Sequence, residues 1–518
     1  MPYTAPLADY RFLMEHVADY ARLAETDRFA EATPDVTDAI LTEAAKLCSE
    51  VMAPLQRVGD LEGSRLENGV VRTPTGYAEA FQAIAEGGWV GMSADPEHGG
   101  MGLPTTLTMI VNEMMSGACL SLQLNPLMAQ GQIDALEHHA SDALKDLYLP
   151  KLISGEWTGT MNLTEPQAGS DVGALTSRAE PNGDGSYAIT GQKIYISWGD
   201  HDMTDNIVHL VLARLPDGVP GTKGWLVGEE HAGMAAMFTM MNNARLGVST
   251  QGIGAAEGAY QHAVAFAMER RQGRVGGTGT IVEHADVRRM LAEMKAQIFA
   301  ARAIELMCAA ALDKARALGD AVWGARAALL TPIAKAFGTD TGIEVASKGI
   351  QVHGGMGFIE ETGAAQYLRD VRVTAIYEGT NGIQAMDLVG RKLRDGGEAA
   401  YALIDEIDAM AEQAREQDAD LAAKVWNAAE SLREATEWMV AQSDPNARNA
   451  GAVPYLRAFA LVIGGYAHLT AIVAGDAPRT RLARFYINRM LPEHVGLLAH
   501  ATAGADGLMD VTPDELVA

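Results

Sequence analysis

One interruption constrains this chain more than any other feature of it. Apolar residues recur at helical spacing over 36–56 and 76–90, over about 105–153 with a break near Asn125-Pro126, from about Gly252, and over Ala285–Leu318. From about Gly155 the period switches to two. Stretches 177–180 and 186–198 alternate polar and apolar residues, and Pro181-Asn182-Gly183-Asp184-Gly185 between them has hairpin-turn composition. Residues 206–215 (NIVHLVLARL) are a further strand candidate. The expectation is a mainly α chain with a central β domain. Pro and Gly mark 96–104 as a loop, and Thr331-Pro332 reads as a helix start. From about Asp395 the sequence turns acidic and Ala-rich, then apolar, which predicts an additional helical domain.

At 518 residues, with 48% hydrophobic and 21% charged, the chain has a globular composition, which excludes a mainly disordered protein. Its 40 Lys and Arg against 67 Asp and Glu leave a formal charge of −27. That is the wrong sign for a nucleic-acid binder or a protein held on anionic lipid, and an anionic ligand would need a local positive cluster. Cys48, Cys119 and Cys308 are far apart and form no CxxC, so neither a disulfide framework nor a thiolate zinc site is expected, and a reducing cytoplasm fits. The start MPYTAPLADYRF has no basic and apolar signal-peptide regions. Residues 458–475 lack Asp, Glu, Lys and Arg, but they include Gly464, Gly465, His468 and Thr470, and a buried bundle helix is expected there rather than a membrane span.

Several chemistries lack their motifs. There is no GxSxG elbow, P-loop, HExxH or EF-hand pattern, so no metal is expected. GTKG (221–224) reads as a turn. Gly252-Ile-Gly254 followed by Gly258 misses dinucleotide spacing and has no preceding strand, so it reads as small residues at a helix contact.

Two blocks carry chemistry. MNLTEPQAGSDVGAL (161–175), followed by GQKIYISWG (191–199), places hydroxyls and backbone N–H groups on a loop beside strands. Such a loop can bind the polar edge of a planar ring or a phosphate. GIQVHGGMGFIEETGAAQYLRDVRVTAIYEGTNGIQ (349–384) has a Gly-rich turn that lets a ligand approach the backbone, then Tyr377-Glu378-Gly379-Thr380. After a β-branched apolar run, Glu378 reads as a desolvated general base or, equally on residue chemistry alone, as a salt-bridged carboxylate at a helix start.

TEPxAGSD, GQKxxIS, ERRQG (269–273), QVHGGMG and YEGT, in this order over about 36–395, together resemble the acyl-CoA dehydrogenase family, and the long C-terminal extension resembles its larger bacterial members. The resemblance implies an extension over 1–35, an N-terminal helical domain over 36–157, a β domain over 158–232, a C-terminal four-helix bundle over 233–395 and a helical extension over 396–518. It implies FAD between the β domain and the bundle, its adenine end reached by the neighbouring subunit. The implied substrate is an acyl-CoA thioester, 3-methylmercaptopropionyl-CoA ahead of a short straight-chain one. The implied electron acceptor is one such as an electron-transfer flavoprotein, and the implied assembly a homodimer.

By matching position, the resemblance makes Glu378 the base at the carbon next to the thioester carbonyl. Hydride leaves the next carbon for flavin N5, and the N–H of the base helps hold the enolate-like oxygen. Leu163 and Thr164 match contacts to the flavin ring, Ser170 a serine near the phosphates of CoA or FAD, and Tyr195 and Ser197 residues covering the flavin, although tryptophan is usual at 195. Arg270, Gln351, Gly354 and Gly355 match pyrophosphate and adenine contacts made across the subunit interface, and Thr380 a further FAD contact. Gly379 and Arg245 match the thioester region, a helix-start ion pair being the alternative for Arg245. Ala244 stands where some relatives carry the base. An acyl-CoA oxidase is the alternative enzyme, and a helical scaffold without chemistry the alternative of another class. Between GTKG and WLVGEE (225–230) several tens of family residues are absent: a true deletion would open the sheet and remove part of the substrate wall, and the expectation preferred to it is a seam at 224/225, where Gly224 and Trp225 would not be directly bonded.

Overall fold

The structure, a computed structural model, describes residues 3–215, 222–274 and 276–517. It is mainly α, with small sheets and extra C-terminal helices, and it divides into two compact units: one built from Asp35–Gly247, the other from Pro6–Pro34 with Val248–Ala518.

In the first unit the Ala- and Leu-rich periodicity up to residue 153 folds as helices. In the longest, Thr105–His139, the chain leaves helical geometry at Cys119 (φ −157°, ψ 90°), not at Asn125-Pro126. The helix restarts ahead of Pro126, which then costs it one hydrogen bond instead of ending it. Strands β1 (Arg65–Glu67) and β2 (Val70–Arg72) form an antiparallel hairpin that lies outside the expectation. Asn68 and Gly69 at its tip both have positive φ (53° and 82°), as a two-residue turn requires, and this Asn-Gly pair was the readable signal.

Five more strands make two sheets. β3 (Thr158–Asn162) pairs in parallel with β6 (Ile207–Val211), the latter shorter than the 206–215 expected. β4 (Arg178–Pro181), β5 (Ser186–Thr190) and β7 (Thr222–Trp225) form an antiparallel sheet, with the expected hairpin between β4 and β5. β5 stops at Thr190 instead of running to Trp198. A Cβ at Gly191 would lie 2.1 Å from Ser177 Oγ, and Lys193 two residues on turns inward to bind Glu165. GTKG is also not a turn: Gly221 lies outside the described residues, and the rest is β7, its conformation supplied by the ladder with β5 rather than by local composition. The register continues from Tyr187↔Gly224 to Ser186↔Trp225, so the strand passes through the 224/225 junction unbroken. Inside this unit a cavity of about 1000 Å³ remains, lined by Gln132, Tyr148, Leu210, Trp225 and Met237 among others.

The second unit is helical. The Gly233–Glu269 helix, which starts well before Gly252, contributes its second half here. A Cβ added at Gly252 would lie 2.3 Å from the Gly338 carbonyl oxygen, and one at Gly342 2.7 Å from that of Gly252. The GIG segment is therefore a close helix crossing, as its spacing predicts. Gly252→Ala should destabilise the protein by about 1–3 kcal/mol, because a backbone carbonyl cannot rotate away as a side chain can. A urea midpoint unchanged from wild type would contradict this packing. The Ala321–His353 helix begins ten residues ahead of Thr331-Pro332: Asp320 caps it by accepting from Val322 N (2.9 Å), and Pro332 is buried within it. Ala452–Val473 is, among the described residues, the one helix long and apolar enough to cross a membrane, and 83% of its apolar window is buried inside the protein, as a core helix would be.

Leu7–His16 belongs to the same unit. Tyr10 and Leu13 are fully buried, and Asp9 accepts from Arg479 (2.5 Å). The buried guanidinium of Arg302 lies 4.9 Å above the Tyr10 ring and donates to Glu257 (2.9 Å).

Candidate active site

In the second unit the chain reaches YEGT through a short helical turn, Val373–Ala375. Glu378 and Gly379 then take successive positive φ values, 56° and 84°, and Thr380 caps the Asn381–Asp387 helix by accepting from Ile383 N (3.3 Å). Glycine adopts that conformation freely, whereas for Glu378 it costs about 1–2 kcal/mol and persists only because the surroundings impose it. Those surroundings are on view. Lys335, fully buried, donates to Gly379 O and to Asn381 Oδ1, both at 2.9 Å. Gln384 Nε2 reaches Glu378 O (3.2 Å) and Gly379 O (3.3 Å). Asn381 Nδ2 donates to Asp340 Oδ1 (2.7 Å), whose carboxyl burial pushes up. The Tyr377 hydroxyl donates to Gln251 Oε1. Burial first, and the Glu378 charge second, push that phenol well above its usual range, so it stays protonated. The Glu378 side chain is half-buried, with Oε2 shut off from solvent.

The Gly-rich turn closes the Ala321–His353 helix. Gly354 sits at φ 62°, ψ −139°, and Gln351, Gly354 and Gly355 are exposed. A Cβ at either glycine would meet nothing within 4 Å, so the open backbone here faces outward. Behind it His353 is buried against Phe266 and His262, with ring centroids 4.5 Å away in each case. Burial pushes His262 down to about 4, so it is neutral near pH 7. Arg270 is exposed, with its backbone paired to Ile281 N.

In the first unit the TEP loop is organised by a residue the sequence reading did not single out. Glu165, 2% exposed, accepts from Lys193 Nζ (2.8 Å), Thr176 N (2.7 Å), Thr176 Oγ1 (2.9 Å) and Ser177 N (3.0 Å). Burial would raise its pKa, but the hydrogen bonds from Lys193, Ser177 and Thr176 outweigh that and hold the carboxyl far below its usual range. Lys193 also donates to Leu163 O (3.0 Å), and Ile194 N to Thr164 O (3.0 Å). Both carbonyls are thus engaged inside, and the half-buried Thr164 hydroxyl is left for a ligand. Trp198 anchors the far end of the loop by donating Nε1–H to Ser121 O (3.0 Å). Between the anchors Tyr195 is 90% exposed at φ 58°, Ser197 is half-buried, and Ser170 is exposed. A rigid loop showing hydroxyls and one open aromatic ring fits a planar, polar-edged group such as a flavin.

Arg245 is 4% exposed and donates to Asn242 Oδ1 (3.1 Å), and it lies mid-helix, not at the helix start of the alternative reading. Ala244 beside it packs with Leu127 and Met128.

The chain belongs to the acyl-CoA dehydrogenase family of FAD-dependent oxidoreductases. Residues 34–156 match the family's N-terminal domain, 231–393 its C-terminal domain, and 403–512 the acetyl-CoA dehydrogenase C-terminal-like domain. It is 40% identical to the 3-methylmercaptopropionyl-CoA dehydrogenase of Ruegeria pomeroyi, across 88% of each chain, and 31% identical to a butyryl-CoA dehydrogenase of Syntrophomonas wolfei across 75% of each. An acyl-CoA dehydrogenase from Bacillus anthracis complexed with FAD shares the fold, at a TM-score of 0.76 and 19% identity, over 92% of this chain and 90% of that one.

Proposed function

We propose that this protein oxidises a short acyl-CoA thioester to its α,β-unsaturated product, with 3-methylmercaptopropionyl-CoA as substrate and methylthioacryloyl-CoA as product. The observation that carries the reading is Glu378: its carboxylate stands on a strained turn whose carbonyls are gripped by buried side chains, with one oxygen withheld from water. Similarity at 40% identity over nearly the whole chain supports the substrate.

FAD, when bound, supplies the hydride acceptor. The rest falls to the chain. Glu378 takes a proton from the carbon next to the thioester carbonyl and holds it on its carboxylate. The N–H of Glu378 is the donor assigned to the oxygen on which charge develops. By matching position, Leu163, Thr164, Tyr195 and Ser197 would hold and cover the flavin, Ser170 would contact the phosphates, and Thr380 would be a further contact to FAD. By matching position, Arg245 and Gly379 are each assigned to the thioester. Arg270, Gln351, Gly354 and Gly355, exposed on their own unit, reach the adenine end of a second subunit's FAD in a homodimer.

A panel of acyl-CoA thioesters with an artificial electron acceptor tests this. The highest kcat/KM is expected with 3-methylmercaptopropionyl-CoA and the next with butyryl-CoA. No turnover with any thioester would end the proposal. An electron-transfer flavoprotein is the expected acceptor. Rapid reoxidation in air with release of hydrogen peroxide would move the reading to an acyl-CoA oxidase.

A further inference from the structure

The YEGT turn is held by more than its own sequence. Its two successive carbonyls, those of Glu378 and Gly379, both accept hydrogen bonds from side chains on other segments. Gln384 Nε2 spans the two, at 3.2 and 3.3 Å, from one turn inside the following helix. Lys335 comes from the middle of the Ala321–His353 helix and ends at Gly379 O, 2.9 Å away. An ammonium group with no exposure to solvent is costly, and it is placed here against one backbone carbonyl and the amide oxygen of Asn381. Asn381 is itself fixed by donating to Asp340 Oδ1 (2.7 Å) and Thr339 Oγ1 (3.0 Å), so Lys335 is held on a frame that does not yield. Fixing two consecutive carbonyls fixes the peptide planes between them. These are the planes on either side of Gly379, and the first of them fixes the carbonyl side of Glu378, a residue whose φ of 56° no local preference would maintain.

We propose that Lys335 and Gln384 are positioning residues for the reaction: they pin the Glu378 and Gly379 carbonyls, keep the two left-handed residues of the turn in place and so aim the carboxylate at the substrate carbon. Neither touches the reacting atoms. The inference rests on the reading of Glu378 as the base. Both residues act through backbone, so their removal leaves the base present but misaimed, and displacement of a reacting group by about 1 Å costs on the order of 10²-fold in rate.

The test compares Lys335→Met, Gln384→Met and Glu378→Gln in the FAD-loaded protein. Each methionine keeps approximate side-chain length and removes the donors. For both methionine variants kcat per bound flavin should fall by about 10²-fold while KM for the acyl-CoA stays near wild type, the pattern of a lost transition-state arrangement. A purely structural role would instead lower the melting temperature and flavin content and leave kcat per bound flavin intact. Gln384 is a neutral amide, so its variant carries the test if Lys335→Met does not fold. Wild-type kcat per flavin in Gln384→Met, with Glu378→Gln inactive, overturns the positioning role alone. Turnover retained by Glu378→Gln overturns the base assignment, and this inference with it.

Discussion

Glu378→Gln should keep its full complement of FAD and its melting temperature and lose turnover by about 10²–10⁴-fold, the usual worth of a positioned general base. The amide matches the carboxylate in size and cannot accept the substrate proton. The turn that carries it survives the exchange, because Lys335 and Gln384 bind the backbone carbonyls, not the side chain. Flavin absorbance per chain and kcat, measured on one preparation, check both halves. Retained turnover would refute the assignment of the base. Loss of flavin along with turnover would mean that the side chain supports the cofactor site instead.

The second large effect lies in the other unit. Lys193→Met should destabilise the protein by about 3–5 kcal/mol, because it leaves the buried Glu165 carboxylate without its cation. Glu165→Gln in the same chain should recover much of the loss, since the pair is coupled and the remaining donors can still reach the amide oxygen. The pH dependence has a definite sign. The folded-state pKa of Glu165 is depressed below its usual 4.5, so the stability it provides is present above that value and is lost as pH falls below it. Urea midpoints of wild type between pH 7 and pH 3 should therefore fall, and fall less steeply in Lys193→Met. Parallel curves for the two proteins would show that the pair does not control this unit.

The alternation that begins after Gly155, and the hairpin at 181–185, were legible because each is written locally: period-two patterning and a Pro-Asn-Gly-Asp-Gly turn. The 285–318 helix was legible for the same reason. What escaped depended on partners far away in sequence. β7 is a strand because β5 lies beside it, and Thr331-Pro332 is mid-helix because neighbouring helices bury Pro332 more firmly than its missing N–H weakens the turn. At the candidate site the motifs drew attention to Glu378 and the Gly-rich turn, although residue chemistry alone left Glu378 between a general base and a salt-bridged carboxylate. The grips on the Glu378–Gly379 turn were not legible: nothing near Lys335 or Gln384 in the sequence says that the Gly379 carbonyl, 44 and 5 residues away, needs donors. Glu165 and Lys193 stood inside the quoted motifs, yet their pairing is a property of the folded loop and not of the spacing of 28 residues between them.

The docking of Leu7–His16 sets a schedule for folding. Asp9 meets Arg479 across 470 residues of chain, and Tyr10 waits for Arg302. On a ribosome the earliest of these helices emerges long before its partners exist, whereas the contiguous stretch from Asp35 to Gly247 can collapse as soon as it is released. Nascent molecules should therefore pass through a stage in which one half is finished while Tyr10, Leu13 and the other apolar residues of the first helix stay in water, a stage at which chaperone holding matters most.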